Sequence, residues 1–380
     1  MKILTLSNCD LVPSQGSGYV IMGFAAGMKE RGHSVTLVGP DGCIVAPQFR
    51  KARSLRLALG MWMKSKRLVR ELQPDLVEFW GGESWLATDR LSKMRGRSFP
   101  IVARSNGIEP FAAETLTRHG IHNTAHGEPP KWYQGRLRVP TDRAFRKADA
   151  IVTVSQPEAN YALRMAYQKP DRVLGIDNAL PAAYLGKEFV PARPQTVGYC
   201  GSWVARKGVG LLVTDMTAVL REFPDWRFHL VGVGERFRAA EHFPVDVQPR
   251  VQVTPFVTDK GDLRRIYGNW AIAVVPSIYE SFGLVAAEAM ACGCALVASR
   301  TGFAESLADG TEAMLLAGST SPSLASAVAR LIADKPLRDS VARAGWARAQ
   351  TLRWENSVSA LEGFYTMLLP RFRQPTSTAQ

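Results

Sequence analysis

Short apolar runs rich in β-branched residues alternate along the chain with longer stretches in which apolar positions recur every three or four residues. In the first half the runs are KILTL (2–6), SVTLV (34–38), DLVEFW (75–80), IVA (101–103) and AIVTV (150–154). In the second half they are TVGYC (196–200), RFHLV (227–231), VQVT (251–254), AIAVV (271–275) and ALVAS (295–299). Strands alternating with helical stretches predict an α/β protein in which each half forms its own doubly wound parallel sheet. Between the halves, LGKEFVPARPQ sets Gly186, Pro191 and Pro194 in a polar context, the pattern of an interdomain linker. The expected division is a first domain over 1–185, a linker over 186–195 and a second domain from 196. Open parallel sheets bind ligands at the carboxyl ends of their strands, so the residues that follow each strand carry the functional reading.

The first such loop runs from Ser7 into GSGYVIMGFAAGMKERG. Val20, Phe24 and Met28 are spaced for one face of a helix, and Gly32 suits its C-terminal cap. Gly16 and Gly18 stand where backbone N–H groups at a helix N-terminus can approach an anion such as a phosphate. A plain tight turn is the alternative. Residues 50–72, RKARSLRLALGMWMKSKRLVREL, hold eight Lys or Arg and one Glu. At about 100° per residue, Leu55, Leu59, Met61, Trp62, Leu68, Val69 and Leu72 share a broad arc, and Arg56, Lys64, Arg67 and Arg70 cluster opposite. This predicts a crossover helix packed on the sheet. Its basic outer side makes it a candidate for peripheral contact with anionic membrane. Gly60 weakens the middle and allows two shorter segments.

Composition narrows this further. With 380 residues, 46% of them hydrophobic and 21% charged, the chain is an ordinary folded protein of two-domain size. No run approaches the roughly 18 apolar residues of a membrane span, and the opening MKILTLSNCD lacks a signal-peptide pattern. Five scattered cysteines suit reduced thiols, so the expected location is cytoplasmic, with a peripheral place at the inner face of the membrane open to it. Cys292 and Cys294 lack a second pair to make a zinc site and read as packing residues. Forty-seven Lys and Arg against 34 Asp and Glu give a net charge of +13. That suits nucleic acid, an anionic membrane surface or phosphorylated small molecules. The basic residues form no nucleic-acid recognition module, which sets that partner aside.

The chemistry concentrates in PSIYESFGLVAAEAMACG, Pro276 to Gly293. After the strand 271–275, this reads as a turn followed by a helix closed by Gly293. Glu280 falls in the turn and Glu288 on the helix. The N–H groups of Phe282, Gly283 and Leu284 lie at the helix N-terminus, where partial positive charge collects. Such a site suits a phosphate flanked by hydroxyl-bearing rings.

This stretch resembles the group 1 (family 4) glycosyltransferases, retaining enzymes of the GT-B fold, in which two Rossmann-like doubly wound domains face each other across a cleft. The resemblance implies that Glu280 contacts the donor sugar, Glu288 holds the nucleotide ribose and the turn amides face the donor phosphate. GSWVARKGVGLLV resembles the family's diphosphate-binding segment. Lys207 matches the family lysine, Ser202 stands where the family has an arginine, and Arg206 is the candidate to supply that charge. RTGFAESLADGTEAMLL matches another family segment with Phe303 in place of a glycine. LRWENSVSALEGFYTML resembles the terminal helix that crosses back to the first domain, so the resemblance implies 1–185 as the acceptor-side domain, 196–350 as the donor domain and 351–380 as the crossing helix and tail. In the first domain, Asn106 in RSNGIEP takes the place of a histidine that lies near the reacting centre in many members. His119, His122 and His126 read as a mobile polar loop, with a reach into the site as the alternative.

The implied reaction moves a hexose from a nucleotide-diphosphate sugar to a glycan or lipid-linked acceptor with retention, and the setting the resemblance implies is cell-surface polysaccharide synthesis. No cofactor is implied. No Asp-x-Asp metal motif occurs, and Lys207, Arg206 and the turn amides supply the charge a departing diphosphate needs, which suits a metal-independent mechanism. Alternatives are a catalytically weak sugar-nucleotide-binding partner subunit and an epimerase or phosphorylase on the same scaffold. A glycosidase would need the two glutamates to flank one bond. Their placement in a turn and on the helix behind it suits ligand binding better.

Overall fold

The computed structural model describes residues 1–13, 16–49, 51–121, 138–316 and 323–372. Two compact units emerge. The described residues of 1–114, 138–178 and 354–372 form the first, and those of 115–121 and 179–353 the second.

The first unit contains β1 (Lys2–Ser7), α1 (Gly16–Glu30), β2 (Ser34–Val38), α2 (Arg53–Leu72), β3 (Leu76–Trp80), α3 (Trp85–Ser92) and β4 (Ile101–Arg104). After these come α4 (Glu109–Arg118), whose last turn groups with the second unit, then α5 (Arg138–Lys147), β5 (Ala150–Thr153), α6 (Gln156–Arg164) and β6 (Val173–Gly175). The sheet is wholly parallel in the order β2-β1-β3-β4-β5-β6. The chain reverses its direction of winding between β1 and β3, which opens a crevice at their carboxyl ends. β3 and β4 are buried along their whole length, which is why LVEFW and IVAR do not alternate apolar with polar.

Two charged residues sit inside that sheet. Arg104, 1% exposed, lies between the rings of Phe24 and Trp80, its guanidinium carbon 4.4 and 4.2 Å from their centroids. It donates to Glu78 at 3.2 Å, and Glu78 also accepts from Thr5 at 2.7 Å and from the Tyr365 hydroxyl. Tyr365 belongs to the last helix, which therefore closes the buried network and is tied to the first sheet by polar bonds as well as packing. Glycines seat that helix: a Cβ on Gly23 would lie 2.0 Å from the Trp354 ring and one on Gly27 2.5 Å from Val358.

α1 buries Val20, Phe24 and Met28 as the spacing predicts, and Gly32 caps it with φ +83°. α2 is one continuous helix. Gly60 is required there, because a Cβ would lie 1.7 Å from the carbonyl oxygen of Cys43. The buried arc of α2 is Leu57, Ala58, Met61, Leu68 and Val69, whereas Leu55, Leu59 and Met63 are 55, 39 and 52% exposed. The apolar arc expected from the sequence is thus split, with Leu55 and Leu59 on the outside.

The second unit contains β7 (Thr196–Cys200), α7 (Val209–Glu222), β8 (Arg227–Val231), β9 (Val251–Thr254), α8 (Lys260–Gly268) and β10 (Ile272–Val275). Next come α9 (Leu284–Ala291), β11 (Ala295–Ser299), β12 (Met314–Leu316), α10 (Ser323–Ala333) and α11 (Lys335–Ala349), before α12 (Trp354–Leu368) returns to the first unit. Its parallel sheet has the order β12-β11-β10-β7-β8-β9, the 3-2-1-4-5-6 Rossmann arrangement with its switch point between β7 and β10. Residues 186–195, read as a linker, lie on this unit. The Arg193 guanidinium donates to the carbonyls of Gly268 at 3.1 Å and of Cys292, the ends of α8 and α9. β6 and β12, three residues each, escaped the sequence pattern because both are short edge strands.

Candidate active site

The loops that leave β7 and β10 meet at the switch point of the second sheet. After β7 the chain turns through Gly201 and Ser202 into a short 3-10 turn, Ala205–Lys207. Gly208 follows with φ +72°, and a Cβ there would lie 2.1 Å from the carbonyl oxygen of Pro276. Only a glycine lets the Lys207 loop press so closely on the turn after β10. The Ile278 N–H donates to the Arg206 carbonyl at 2.8 Å and locks the two loops together.

This contact places Lys207 Nζ 2.5 Å from Glu280 Oε1, with the two side chains 13 and 12% exposed. Ser277 donates to the same oxygen at 2.7 Å. Burial works to raise the Glu280 carboxyl, but Lys207, Ser277 and Arg206 outweigh it and hold the group below the ordinary glutamate range. Glu280 is therefore a carboxylate at neutral pH. Gly283, with φ +90°, is the N-cap of α9, so the amides of Phe282, Gly283 and Leu284 lie at the helix N-terminus, as the sequence predicts. Behind the turn, the Phe303 N–H donates to the Phe282 carbonyl at 2.7 Å, and the two rings sit 5.4 Å apart. Phe303 thus braces the turn from the segment after β11.

Glu288 lies on α9 and is 2% exposed. Its carboxylate takes Lys260 at 2.8 Å and the Tyr267 hydroxyl at 3.2 Å, both from α8. Burial raises its pKa, and Lys260 and Tyr267 counter only part of that. A carboxylate offers about four lone-pair positions, so two remain after these partners. A vicinal diol could use them. Lys260, Tyr267, Ser277 and Gly208 were not singled out in the sequence. Lys260 had a weak signal, because Asp259 is a helix N-cap that bonds the Asp262 N–H and so puts Lys260 at the first helical position.

Ser202 is exposed, and its carbonyl accepts from the Tyr199 hydroxyl at 3.0 Å. Arg206 is the cation whose field reaches Glu280 from this loop besides Lys207. Asn106, Gly16 and Gly18 belong to the first unit. Asn106 follows β4, half-buried, and its Nδ2 is buried without a hydrogen-bond partner among the described residues. A Cβ on Gly18 would lie 2.4 Å from the carbonyl oxygen of Val12, so the loop itself uses this glycine. Gly16 begins α1 and is exposed. His119 is exposed, with Nδ1 2.9 Å from the Thr115 carbonyl oxygen, while His122 and His126 lie outside the described residues. All five cysteines are free thiols, and Cys294 is buried with its thiol 3.2 Å from the Tyr267 carbonyl. Among the described residues, no group of three or more His, Cys, Asp and Glu is arranged to hold a metal ion.

Two family models match the chain, Glycosyltransferase Family 4 over residues 14–181 and Glycosyl transferases group 1 over residues 194–334. The chain belongs to the group 1, family 4 glycosyltransferases. Among relatives of this glycosyltransferase are the D-inositol 3-phosphate glycosyltransferases of Nocardiopsis dassonvillei and Saccharomonospora viridis. They are 28% identical over 77% of this chain and 71% of theirs, and 29% identical over 79% and 71%. Its fold matches that of sucrose-phosphate synthase from Thermosynechococcus elongatus, with a TM-score of 0.75 and 18% identity over 98% of this chain and 100% of the other. It also matches Anabaena HepE in complex with UDP and glucose, with a TM-score of 0.67 and 18% identity over 97 and 100%. These likenesses make the fold GT-B, built on the two parallel six-stranded sheets.

Proposed function

We propose that this glycosyltransferase moves a hexose from a nucleotide-diphosphate sugar to a hydroxyl of a glycan or lipid-linked acceptor, with retention and without a metal ion, in the assembly of cell-surface polysaccharide. The observation that carries the reading is the Lys207–Glu280 pair at the switch point of a Rossmann-ordered sheet, beside the N-terminus of α9. Lys207 and Arg206 neutralise the charge that grows on the departing diphosphate, and the turn amides share the task. Glu288 accepts the ribose hydroxyls on its remaining lone pairs. Glu280 Oε1 is already engaged by Lys207 and Ser277, which suits it to orient a sugar hydroxyl rather than attack the anomeric carbon. That supports retention by attack of the acceptor on the face the diphosphate leaves. Asn106, in the first unit, keeps an unsatisfied amide that suits a sugar hydroxyl.

The relatives' names favour a second reading of the acceptor, an inositol phosphate. The two readings share the donor site and differ in what the first unit must recognise.

For a lipid-linked acceptor, α2 offers the contact. Leu55, Leu59 and Met63 form an exposed apolar row at four-residue spacing, and Lys66, Arg67 and Arg70 continue outward along the helix, all exposed. No helix among the described residues is long and apolar enough to cross a membrane, so peripheral docking from the cytoplasm is the proposed mode.

The test is thermal unfolding with UDP-, GDP- and ADP-sugars, followed by nucleotide release with candidate acceptors. A ligand that binds the folded state raises its melting point. Failure of every sugar nucleotide to stabilise the protein refutes the donor site, and stabilisation without turnover on any acceptor favours a binding subunit.

A further inference from the structure

The first sheet has its own switch point, between β1 and β3, and the carboxyl ends of those strands hold an acidic cavity. Its volume is about 80 Å³, and its wall includes Gly82, Glu83, Trp85, Glu109 and Thr141, with Leu55 from α2 at its edge. The local backbone builds it. Gly81 turns the chain after β3 with φ +89°, and a Cβ there would strike the Asn8 side chain, 2.0 Å away. Asn8, just after β1, donates to Glu83 at 2.8 Å. The Gly82 N–H donates to Glu109 Oε1 at 3.2 Å. A Cβ on Gly82 would lie 2.5 Å from the Thr141 side chain, so that wall cannot be thickened.

The charge in this cavity opposes that of the chain. On a protein of net charge +13, neither Glu83 nor Glu109 forms an ion pair with a Lys or Arg among the described residues. Glu109 Oε2 is buried and has no hydrogen-bond partner there. A buried acceptor left unmade is costly. It is the position at which a ligand hydroxyl gains most. Burial, with Glu83 second, pushes the Glu109 carboxyl up to about 7, so near neutrality it can accept from one hydroxyl or donate to another. Trp85 is half-buried and lines the wall, an aromatic side chain of the kind that suits the C–H face of a ring.

We infer that Glu83 and Glu109 recognise the hydroxyl groups of an acceptor ring that carries no phosphate where it is seated. This rests on the glycosyltransferase reading and decides between its two acceptors. An anionic phosphate would meet two carboxyl groups and no paired cation, whereas an uncharged polyol satisfies the unpartnered oxygen at no charge cost. The cavity belongs to the unit that the family resemblance assigns to the acceptor. The cavity lies in the β4–α4 loop's neighbourhood, three residues from Asn106, and Leu55 at its edge begins the exposed apolar row of α2. A sugar on a lipid carrier would enter from that side.

The experiment uses the full chain and saturation-transfer NMR. The ligands are methyl glycosides of glucose, mannose and galactose with myo-inositol, set against hexose 6-phosphates and inositol 3-phosphate. At least one neutral ring should bind at least ten-fold more tightly than its phosphorylated counterpart, and Glu109→Gln should weaken it and narrow that gap to threefold or less. Phosphorylated rings that bind as tightly as neutral ones, no binding by any neutral ring, or unchanged preference in a folded Glu83→Gln/Glu109→Gln variant would each overturn the inference. The wild-type comparison decides even if a variant fails to fold. Calorimetry with UDP, GDP and ADP on the same preparation keeps the outcomes separable. Nucleotide binding without the acceptor preference sinks the inference alone, and loss of both sinks the function beneath it.

Discussion

Lys207→Ala separates what the Lys207–Glu280 pair does for folding from what it does for catalysis. The pair is nearly buried, 2.5 Å apart, with side chains 13 and 12% exposed. Removing one partner of a buried pair costs about 3–5 kcal/mol because the other charge is left behind. Here Ser277 and Arg206 still support Glu280, so the loss should fall lower, at about 2–3 kcal/mol. Adding Glu280→Gln removes the stranded charge, and the double variant should regain all but about 1 kcal/mol, the worth of an ordinary hydrogen bond. Turnover should behave differently. Charge on the diphosphate grows in the transition state, so loss of one preorganised partner should cost about 10²–10³-fold in kcat. The double variant should not recover that activity, because neither the lysine nor the sugar-orienting carboxylate returns. Urea unfolding followed by circular dichroism gives the first quantity. Nucleotide release, with whichever sugar nucleotide most raises the melting point, gives the second. If Lys207→Ala keeps turnover within threefold of wild type at saturating donor, Lys207 is not the diphosphate clamp. If the double variant regains turnover together with stability, the defect was one of folding.

Glu288→Ala should weaken nucleoside diphosphate binding by about 1.5–3 kcal/mol, the worth of a hydrogen bond to a charged acceptor, and unchanged affinity in calorimetry would remove Glu288 from the ribose site. The Glu109 carboxyl has a folded pKa raised to about 7 from 4.5, so its contribution to stability is fully present below 4.5 and is lost as pH rises through 7. Glu109→Gln should therefore gain on wild type as pH rises from 5 to 8, by at most about 3 kcal/mol, and parallel stability curves would contradict this. Glu78→Ala leaves Arg104 buried without its counter-charge and should cost about 3–5 kcal/mol, a loss that chemical unfolding would reveal and that an effect under 1 kcal/mol would contradict. Lys66, Arg67 and Arg70→Ser should reduce co-sedimentation with anionic vesicles at low salt, and Leu59 and Met63→Ser should reduce what remains at high salt, where screening removes the charge contribution. Arg56 is left out of that set because its guanidinium is bonded to the carbonyls of Lys51, Val45 and Ala46. Equal binding by all variants would return α2 to a packing role alone.

What the sequence by itself determined is local. Ten strands stand close to their apolar runs, because most are buried on both faces and need little beyond a short run of apolar residues, while the less buried β2 and β9 are still marked by β-branched residues. The turn and helix from Pro276 to Gly293 were legible for a similar reason: short-range backbone geometry puts Glu280 in the turn and Glu288 on the helix, and Gly283 and Gly293, which bound that helix, both take positive φ. Partnership was not legible. Lys207 and Glu280 are 73 residues apart, and Lys260 and Glu288 are 28 apart. Glu78 and Tyr365, joined through the same network as Arg104, are 287 residues apart. Nothing in the spacing of such residues says that a strand order of β12-β11-β10-β7-β8-β9 will bring two loops together at one switch point. The split of the α2 surface was hidden too, since periodicity locates an apolar arc but not which part of it the sheet covers. Glu83 and Glu109 carried no sequence signal at all. Carboxylates in a tight turn or at the start of a helix are ordinarily solvated, and only the packing of Gly81, Gly82, Asn8 and Thr141 around these two withdraws one oxygen from water and leaves it without a partner.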